Sequence, residues 1–147
     1  MRVGQAPGRP LTIGFLARFV PEKGLHLLVD AFIHLYRSGE FPNLQLVAGG
    51  YVSRAYKTYI DGIRKKIADN HLEDRVRLLG TLDRTHKLNF FRQIDVFSVP
   101  APYREPKGIS ILEALASGVP VVQGNSPAMA RSMASAASRR NSGSTCA

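Results

Sequence analysis

An α/β fold with a doubly wound, parallel sheet of about five strands is predicted for this chain. Two observations predict it. Short apolar runs alternate with segments in which apolar residues recur at helical spacing, from residue 11 to residue 123. The 147 residues, 44% of them hydrophobic and 21% charged, suffice for one domain around a single core.

The first half of this pattern begins with LTIGFLA (11–17), an apolar run that predicts a strand. A turn around Gly24 follows. From Leu25 onward apolar residues recur at helical spacing, and Gly39 ends the predicted helix. LQLVAG (44–49) predicts the second strand.

The second half repeats the alternation three times. The remaining predicted strands are VRLLG (76–80), DVFSV (95–99) and VPVVQ (119–123). The remaining predicted helices cover 56–67, 84–93 and 108–117.

Such an order of elements indicates a Rossmann-like domain, because right-handed crossovers place helices on both faces of the sheet. Ligands of these sheets bind outside the carboxyl ends of the strands, near the switch in strand order. We expect strands one and four to be neighbours there. The loops at that edge are 17–24, 49–53, 80–84 and 100–108.

The two ends of the chain differ from this core. Residues 1–10 form an N-terminal extension without the apolar segment of a secretory signal. Residues 124–147, rich in Ala and Ser, contain no Val, Ile, Leu, aromatic or acidic residue. We expect 124–147 to be disordered, because it buries too little apolar surface to offset the entropy of ordering.

The net charge of +9 points to an anionic partner, which on charge alone is a nucleic acid, a phosphate ester or an acidic lipid. The one dense basic cluster, RKK at 64–66, fits a solvated helix face, and no alternation of basic and aromatic residues predicts nucleic-acid binding. The single cysteine, Cys146, fits a reducing compartment, and we expect a cytoplasmic protein. The four histidines lack metal-ligand spacing.

Two carboxylates, Glu105 and Glu113, flank the start of the helix near Gly108. A helix start offers free backbone N–H groups to phosphate, and carboxylates accept hydrogen bonds from hydroxyls. The pair therefore suits a ligand with both phosphates and sugar hydroxyls. On spacing alone, a solvated Glu113 and a Glu105 that favours the helix dipole is the simpler interpretation.

Two cations, Arg18 and Lys23, lie in the loop after the first strand, on the edge that 100–108 shares. Facing a helix start across a crevice, they form a cage suited to a diphosphate. A surface Arg and a Lys beside Glu22 explain the same residues about as well.

Taken together, IGFLARFVPEKGLHLLVDAF, LQLVAGG, VRLLGTL and DVFSVPAPYREPKGISILEALASGVPVV resemble the C-terminal, donor-binding domain of the family 4 retaining glycosyltransferases of the GT-B fold. The resemblance covers residues 11–123, a nucleotide-sugar-binding Rossmann-like domain. It rests above all on two acids separated by seven residues and followed by ALASGVPVV.

The resemblance implies that a UDP-, GDP- or ADP-sugar is the ligand and that no bound metal is needed. It implies that Arg18 and Lys23 contact the diphosphate. It implies that Glu105, the catalytic position, binds the hydroxyls of the donor sugar. Glu113 would bind the ribose hydroxyls. Backbone amides at Gly108, Ile109 and Ser110 would meet sugar or phosphate, and the loop Gly80, Thr81 and Leu82 would lie along the base.

The same resemblance implies that the donor half is incomplete and that an N-terminal acceptor-binding domain is missing, so that we expect this chain alone to be inactive. In the full-length enzyme peripheral membrane contact is expected, and nucleic acid is not. Related GT-B epimerases and sugar-phosphate synthases stay open. The alternative function is a basic, non-catalytic module that binds nucleic acid or a protein partner and retains the fold.

Overall fold

A computed structural model describes residues 10–100 and 109–122 of the chain. In these residues the strands are β1 Leu11–Leu16, β2 Leu44–Gly49, β3 Val76–Leu78 and β4 Val96–Phe97. The helices are α1 Leu25–Arg37, α2 Lys57–Asp69, α3 Arg84–Gln93 and α4 Ile109–Ala116. Short 3-10 turns, Pro21–Lys23 and Arg54–Tyr56, precede α1 and α2. The predicted α/β class is confirmed.

The strands form one parallel sheet in the order β3-β2-β1-β4. β1 is central, and all six of its residues are buried. It pairs with β2 along its whole length, from Leu11–Leu44 to Leu16–Gly49, and with β4 at Ile13–Val96 and Gly14–Phe97. The prediction that strands one and four are neighbours is therefore confirmed, and the strand order reverses between them.

The crossovers divide the helices between the two faces. The chain moves one way along the sheet from β1 to β3 and then returns past β1 to β4. Right-handed connections thus place α1 and α2 on one face and α3 and α4 on the other. Each helix follows the carboxyl end of a strand, so all four helices begin at the same edge of the sheet.

The later strands are shorter than the sequence predicts. β3 ends at Leu78 rather than at residue 80, and β4 covers two residues of the predicted 95–99. The fifth run, within the described residues, forms a single parallel bridge between Phe97 and Val121.

Two residues of the fifth run offer no backbone N–H for sheet pairing, and this explains why the described part of the run forms only one bridge. The Val119 N–H donates to the Ala114 carbonyl at 2.9 Å, which completes the end of α4. Pro120 has no N–H to donate. The described part of the fifth run therefore pairs only with Phe97: the Phe97 N–H donates to the Pro120 carbonyl, and the Val122 N–H donates to the Phe97 carbonyl, each at 2.9 Å.

Several predictions lie outside the described residues. They are the extension before Pro10, the segment 101–108 and the tail 124–147. None of the helices within 10–100 and 109–122 is long and apolar enough to cross a membrane.

Candidate functional site

The loop after β1 is anchored on both sides of Arg18. The Ala17 N–H donates to the Gly49 carbonyl at 3.2 Å, and the Phe19 N–H donates to the Tyr51 carbonyl at 3.0 Å. The Phe19 side chain is buried, and the Arg18 side chain is exposed. The sequence thus holds the backbone of this loop and leaves the guanidinium at the carboxyl edge of the sheet.

Lys23 ends the 3-10 turn that Pro21 begins, and its N–H donates to the Val20 carbonyl at 3.0 Å. Its side chain is half-buried. Gly24 then adopts φ +79°, a left-handed conformation that favours glycine, and α1 follows. Arg18 and Lys23 therefore lie in one short, hydrogen-bonded loop, as the sequence predicts.

This loop touches the chain after β4. A Cβ on Gly24 would lie 2.3 Å from the Pro100 carbonyl oxygen, so the two backbones are in direct contact. Glu105 and Gly108 follow Pro100 in the sequence but lie in 101–108, outside the described residues. The structure thus places Pro100, the last described residue before that segment, beside the loop that carries the two cations.

The loop Gly80–Leu82 joins the same edge. The Gly80 carbonyl accepts the Gly50 N–H at 3.2 Å, and Leu82 packs on Gly49, where a Cβ would lie 3.0 Å from its Cδ1. Gly80 and Thr81 are exposed, and Leu82 is half-buried. A Cβ on Gly50 would lie 1.8 Å from the Ala17 carbonyl oxygen, so this glycine allows the loops after β1 and β2 to meet.

The last predicted contacts are on α4. Ile109 is its first residue, and Ser110 and Glu113 follow with half-buried side chains. The Glu113 carboxylate forms an ion pair with Lys87 of α3, with 3.7 Å between Nζ and Oε1. Both helices begin at the carboxyl edge, so the pair lies near that edge on the face that α3 and α4 share.

Sequence reasoning missed two residues of this region. Lys87 was not singled out, although a right-handed crossover brings α3 to the face of α4. Tyr59 lies in the predicted helix 56–67, and its hydroxyl accepts a hydrogen bond from the first turn of α1, which the helical pattern does not predict. No local pattern marks such contacts, because Tyr59 and its partner His26 are 33 positions apart.

Elsewhere, the basic cluster of 64–66 lies exposed on α2 and pairs with aspartates. The Nζ atoms of Lys65 and Lys66 lie 2.9 and 2.6 Å from Asp69 and Asp30. In the described part of the chain, no group of three or more His, Cys, Asp or Glu side chains is arranged to hold a metal ion.

The family is decided by a match between residues 1–142 and the family described as "Glycosyl transferases group 1". This chain belongs to the group 1 glycosyltransferases. The resemblance stated from the sequence motifs is confirmed, and the family is one of transferases.

Among individual relatives of this group 1 glycosyltransferase chain is the GDP-mannose-dependent alpha-(1-6)-phosphatidylinositol monomannoside mannosyltransferase of Mycobacterium tuberculosis. The two are 34% identical over 131 residues, which cover 85% of this chain and 31% of the relative. A mannosylfructose-phosphate synthase of Agrobacterium fabrum is 31% identical over 73% of this chain and 24% of its own length. The chain thus spans about a quarter to a third of the length of the curated relatives it matches.

Solved glycosyltransferase structures share the fold. HepE of Anabaena, solved in complex with UDP and glucose, superposes with a TM-score of 0.70 and 26% identity, over 78% of this chain and 29% of that one. The C-terminal domain of a group 1 family glycosyl transferase, LpcC of Francisella tularensis, has a TM-score of 0.71. It is 21% identical, over 84% of this chain and 70% of that chain, and therefore shows the fold alone.

Proposed function

We propose that this chain is the donor-binding domain of a retaining glycosyltransferase and binds the diphosphate of a nucleotide-sugar where β1 and β4 adjoin. The observation that carries the proposal is the contact of Gly24 with Pro100, which joins the loop of Arg18 and Lys23 to the chain after β4. Open α/β sheets bind ligands at this switch in strand order. The names of the Mycobacterium relative and the Anabaena structure, one GDP-mannose-dependent and one solved with UDP, support a nucleotide ligand.

In this proposal the two cations hold the diphosphate. Charge-assisted hydrogen bonds from Arg18 and Lys23 are stronger than neutral ones, and the planar guanidinium can form two in parallel. The backbone amides of Gly108, Ile109 and Ser110 would add the positive end of a helix, because α4 begins at Ile109. These groups stabilise the charge that develops on the departing diphosphate, so the proposal needs no metal.

The carboxylates recognise the two sugars. Glu113 accepts hydrogen bonds from the ribose hydroxyls, and Glu105 accepts them from the donor sugar, beside the bond that breaks. The loop Gly80–Leu82 lies along the base. In this proposal the two acids bind the sugars at the two ends of one diphosphate.

Sugar transfer also requires an acceptor hydroxyl held against the anomeric carbon, and such orientation supplies much of the rate. Since the chain spans a quarter to a third of its relatives, we propose that the acceptor is bound by a further domain. The donor half alone then binds nucleotide without transferring sugar.

Calorimetry with UDP, GDP and ADP, with and without EDTA, tests the proposal. We expect weak binding that EDTA leaves unchanged. Arg18→Ala and Lys23→Ala should each raise Kd about tenfold or more, because a hydrogen bond to a charged group contributes ~1.5–3 kcal/mol. Lys65→Ala, which removes an exposed cation from α2, is the matched control and should leave Kd unchanged.

Three results would contradict the proposal. They are no binding of any of the nucleotides at millimolar concentration to folded chain, an equal effect of all three substitutions, and tighter binding of a short oligonucleotide than of UDP or GDP.

A further inference from the structure

The first turn of α1 is capped by a side chain from another helix. Its N-cap residue is Gly24, which has no side chain to accept a hydrogen bond from the free N–H groups of the turn. The N–H of His26 donates instead to the hydroxyl of Tyr59 in α2, at 3.2 Å. This tertiary cap connects the starts of α1 and α2 at the carboxyl edge.

The same hydroxyl also engages the His26 ring. Nδ1 lies 2.8 Å from the Tyr59 oxygen, and the two rings meet edge to face with centroids 5.6 Å apart. One arrangement uses both contacts: the hydroxyl accepts the backbone N–H and donates to Nδ1 of the tautomer that carries its proton on Nε2.

Tyr59 keeps its proton in this setting. Burial raises the pKa of its phenol, the hydrogen bond from His26 lowers it, and the charge of Glu22 raises it again, with a net upward shift. The hydroxyl therefore stays a donor at neutral pH.

The capped turn directly follows the loop of the diphosphate site. His26 is three residues from Lys23 and two from Gly24, and Gly24 is the residue that meets Pro100. A shift of the first turn of α1 would therefore move Lys23 and the contact with the chain after β4 together.

We propose that Tyr59 is a positioning residue of the nucleotide site: through its bond to His26 it fixes the turn that follows Lys23, without touching the nucleotide. The inference rests on the proposed function. The sequence does not predict this role for Tyr59, because no predicted site residue lies in α2.

The test is Tyr59→Phe in the full chain, titrated with UDP and GDP. This substitution keeps the ring and removes the hydroxyl. We expect Kd to rise about fivefold, the equivalent of one neutral hydrogen bond. Tyr36→Phe removes a hydroxyl near the other end of α1 and is the control, with an expected change below twofold.

A double-mutant cycle separates positioning from a general loss of stability. In the Lys23→Ala background, Tyr59→Phe should change Kd by a smaller factor than in the unsubstituted chain, because the cation that the turn positions is gone. Hydrogen exchange at the amides of 25–28 should also accelerate in Tyr59→Phe and stay unchanged in Tyr36→Phe.

The possible results separate this inference from the proposed function. If the unsubstituted chain binds UDP or GDP and Tyr59→Phe binds as tightly, or if the loss is equally large without Lys23, this inference is overturned and the proposed function stands. If the unsubstituted chain binds no nucleotide, both are overturned.

Discussion

The carbonyl oxygen of Pro100 occupies the space of a side chain on Gly24: a Cβ there would lie 2.3 Å from it. Gly24 also has φ +79°. Two independent constraints therefore favour glycine between Lys23 and α1: the left-handed backbone conformation and the contact with Pro100 after β4.

Gly24→Ala should destabilise the fold and weaken nucleotide binding. Gly39→Ala is the matched control, since Gly39 has φ +77° but a Cβ there would meet nothing within 4 Å. We expect the control to lower the free energy of unfolding by about 1–2 kcal/mol, the cost of a left-handed alanine. Gly24→Ala should cost more and raise the Kd of UDP. Urea unfolding and calorimetry measure both, and equal effects of the two variants would refute the contact.

Glu113→Ala should abolish discrimination between ribose and deoxyribose. If Glu113 accepts hydrogen bonds from ribose hydroxyls, the unsubstituted chain binds UDP more tightly than dUDP, and the variant, which has no side-chain acceptor, binds both alike. Glu73→Ala, the same change at an exposed site, is the control. Calorimetry with the two nucleotides is the measurement, and a preference for UDP that survives in Glu113→Ala would contradict the assigned role.

The partner of Glu113 should matter little for folding. Its ion pair with Lys87 spans 3.7 Å, and the two side chains are 34% and 39% exposed. Water screens such a pair, so Lys87→Met should change the free energy of unfolding by less than about 1 kcal/mol. A larger loss in urea unfolding would show that α3 and α4 depend on this contact.

Two further glycines should respond in opposite directions. A Cβ on Gly14 of β1 would lie 2.5 Å from Ile94 Cδ1 and 3.0 Å from Phe90 Cζ, so Gly14→Ala should cost about 1–3 kcal/mol by overpacking. A Cβ on Gly62, inside α2, would meet nothing within 4 Å. Gly62→Ala should therefore stabilise by about 0.5–1 kcal/mol. Urea midpoints that move in the same direction would contradict this account of the packing.

The N-cap of α3 should add pH dependence. The Asp83 carboxylate accepts the His86 N–H at 2.8 Å and lies 2.7 Å from Nδ1 of the same residue. Both hydrogen bonds lower the pKa of Asp83, the one from the backbone more. Because the folded pKa is the lower one, this stabilisation is present above the unfolded pKa, about 3.9, and is lost as the pH falls through the folded value.

Asp83→Ala should accordingly lower Tm at pH 7, by an amount that shrinks below about pH 4. Asp83→Asn retains a capping side chain without the titration and is the control. Thermal melts from pH 3 to pH 8 provide the comparison, and a difference between Asp83→Ala and the unsubstituted chain that is constant with pH would argue against the cap.

Much of the fold follows from the sequence, because its determinants are local. The first elements are bounded closely by the apolar runs at 11–17 and 44–49 and by the glycines at 24 and 39. The doubly wound strand order then places β4 beside β1. The short fifth run could not be foreseen in this way. Its pairing depends on the hydrogen bond from the Val119 N–H to the Ala114 carbonyl, which follows the end of α4 at Ala116 and is set by tertiary packing.

The same distinction between local and long-range determinants applies to the candidate site. Arg18 and Lys23 are predicted at the carboxyl edge from their position after a strand, since topology alone brings them there. Lys87 and Tyr59 are not, because their roles arise from contacts between helices far apart in the sequence. The helical spacing of Tyr59 is typical of a core residue. It does not predict that the Tyr59 hydroxyl accepts the His26 N–H.

The central claim is that a nucleoside diphosphate binds at the carboxyl edge, where β1 and β4 adjoin. An NMR titration of the 15N-labelled chain with UDP in the presence of EDTA tests it most directly. The account predicts that the amide signals of Arg18, Lys23, Thr81 and Ser110 shift together with one common Kd, while those of 64–66 on the outer face of α2 stay in place. Shifts centred on 64–66, or no shifts at millimolar UDP in a folded sample, would contradict it.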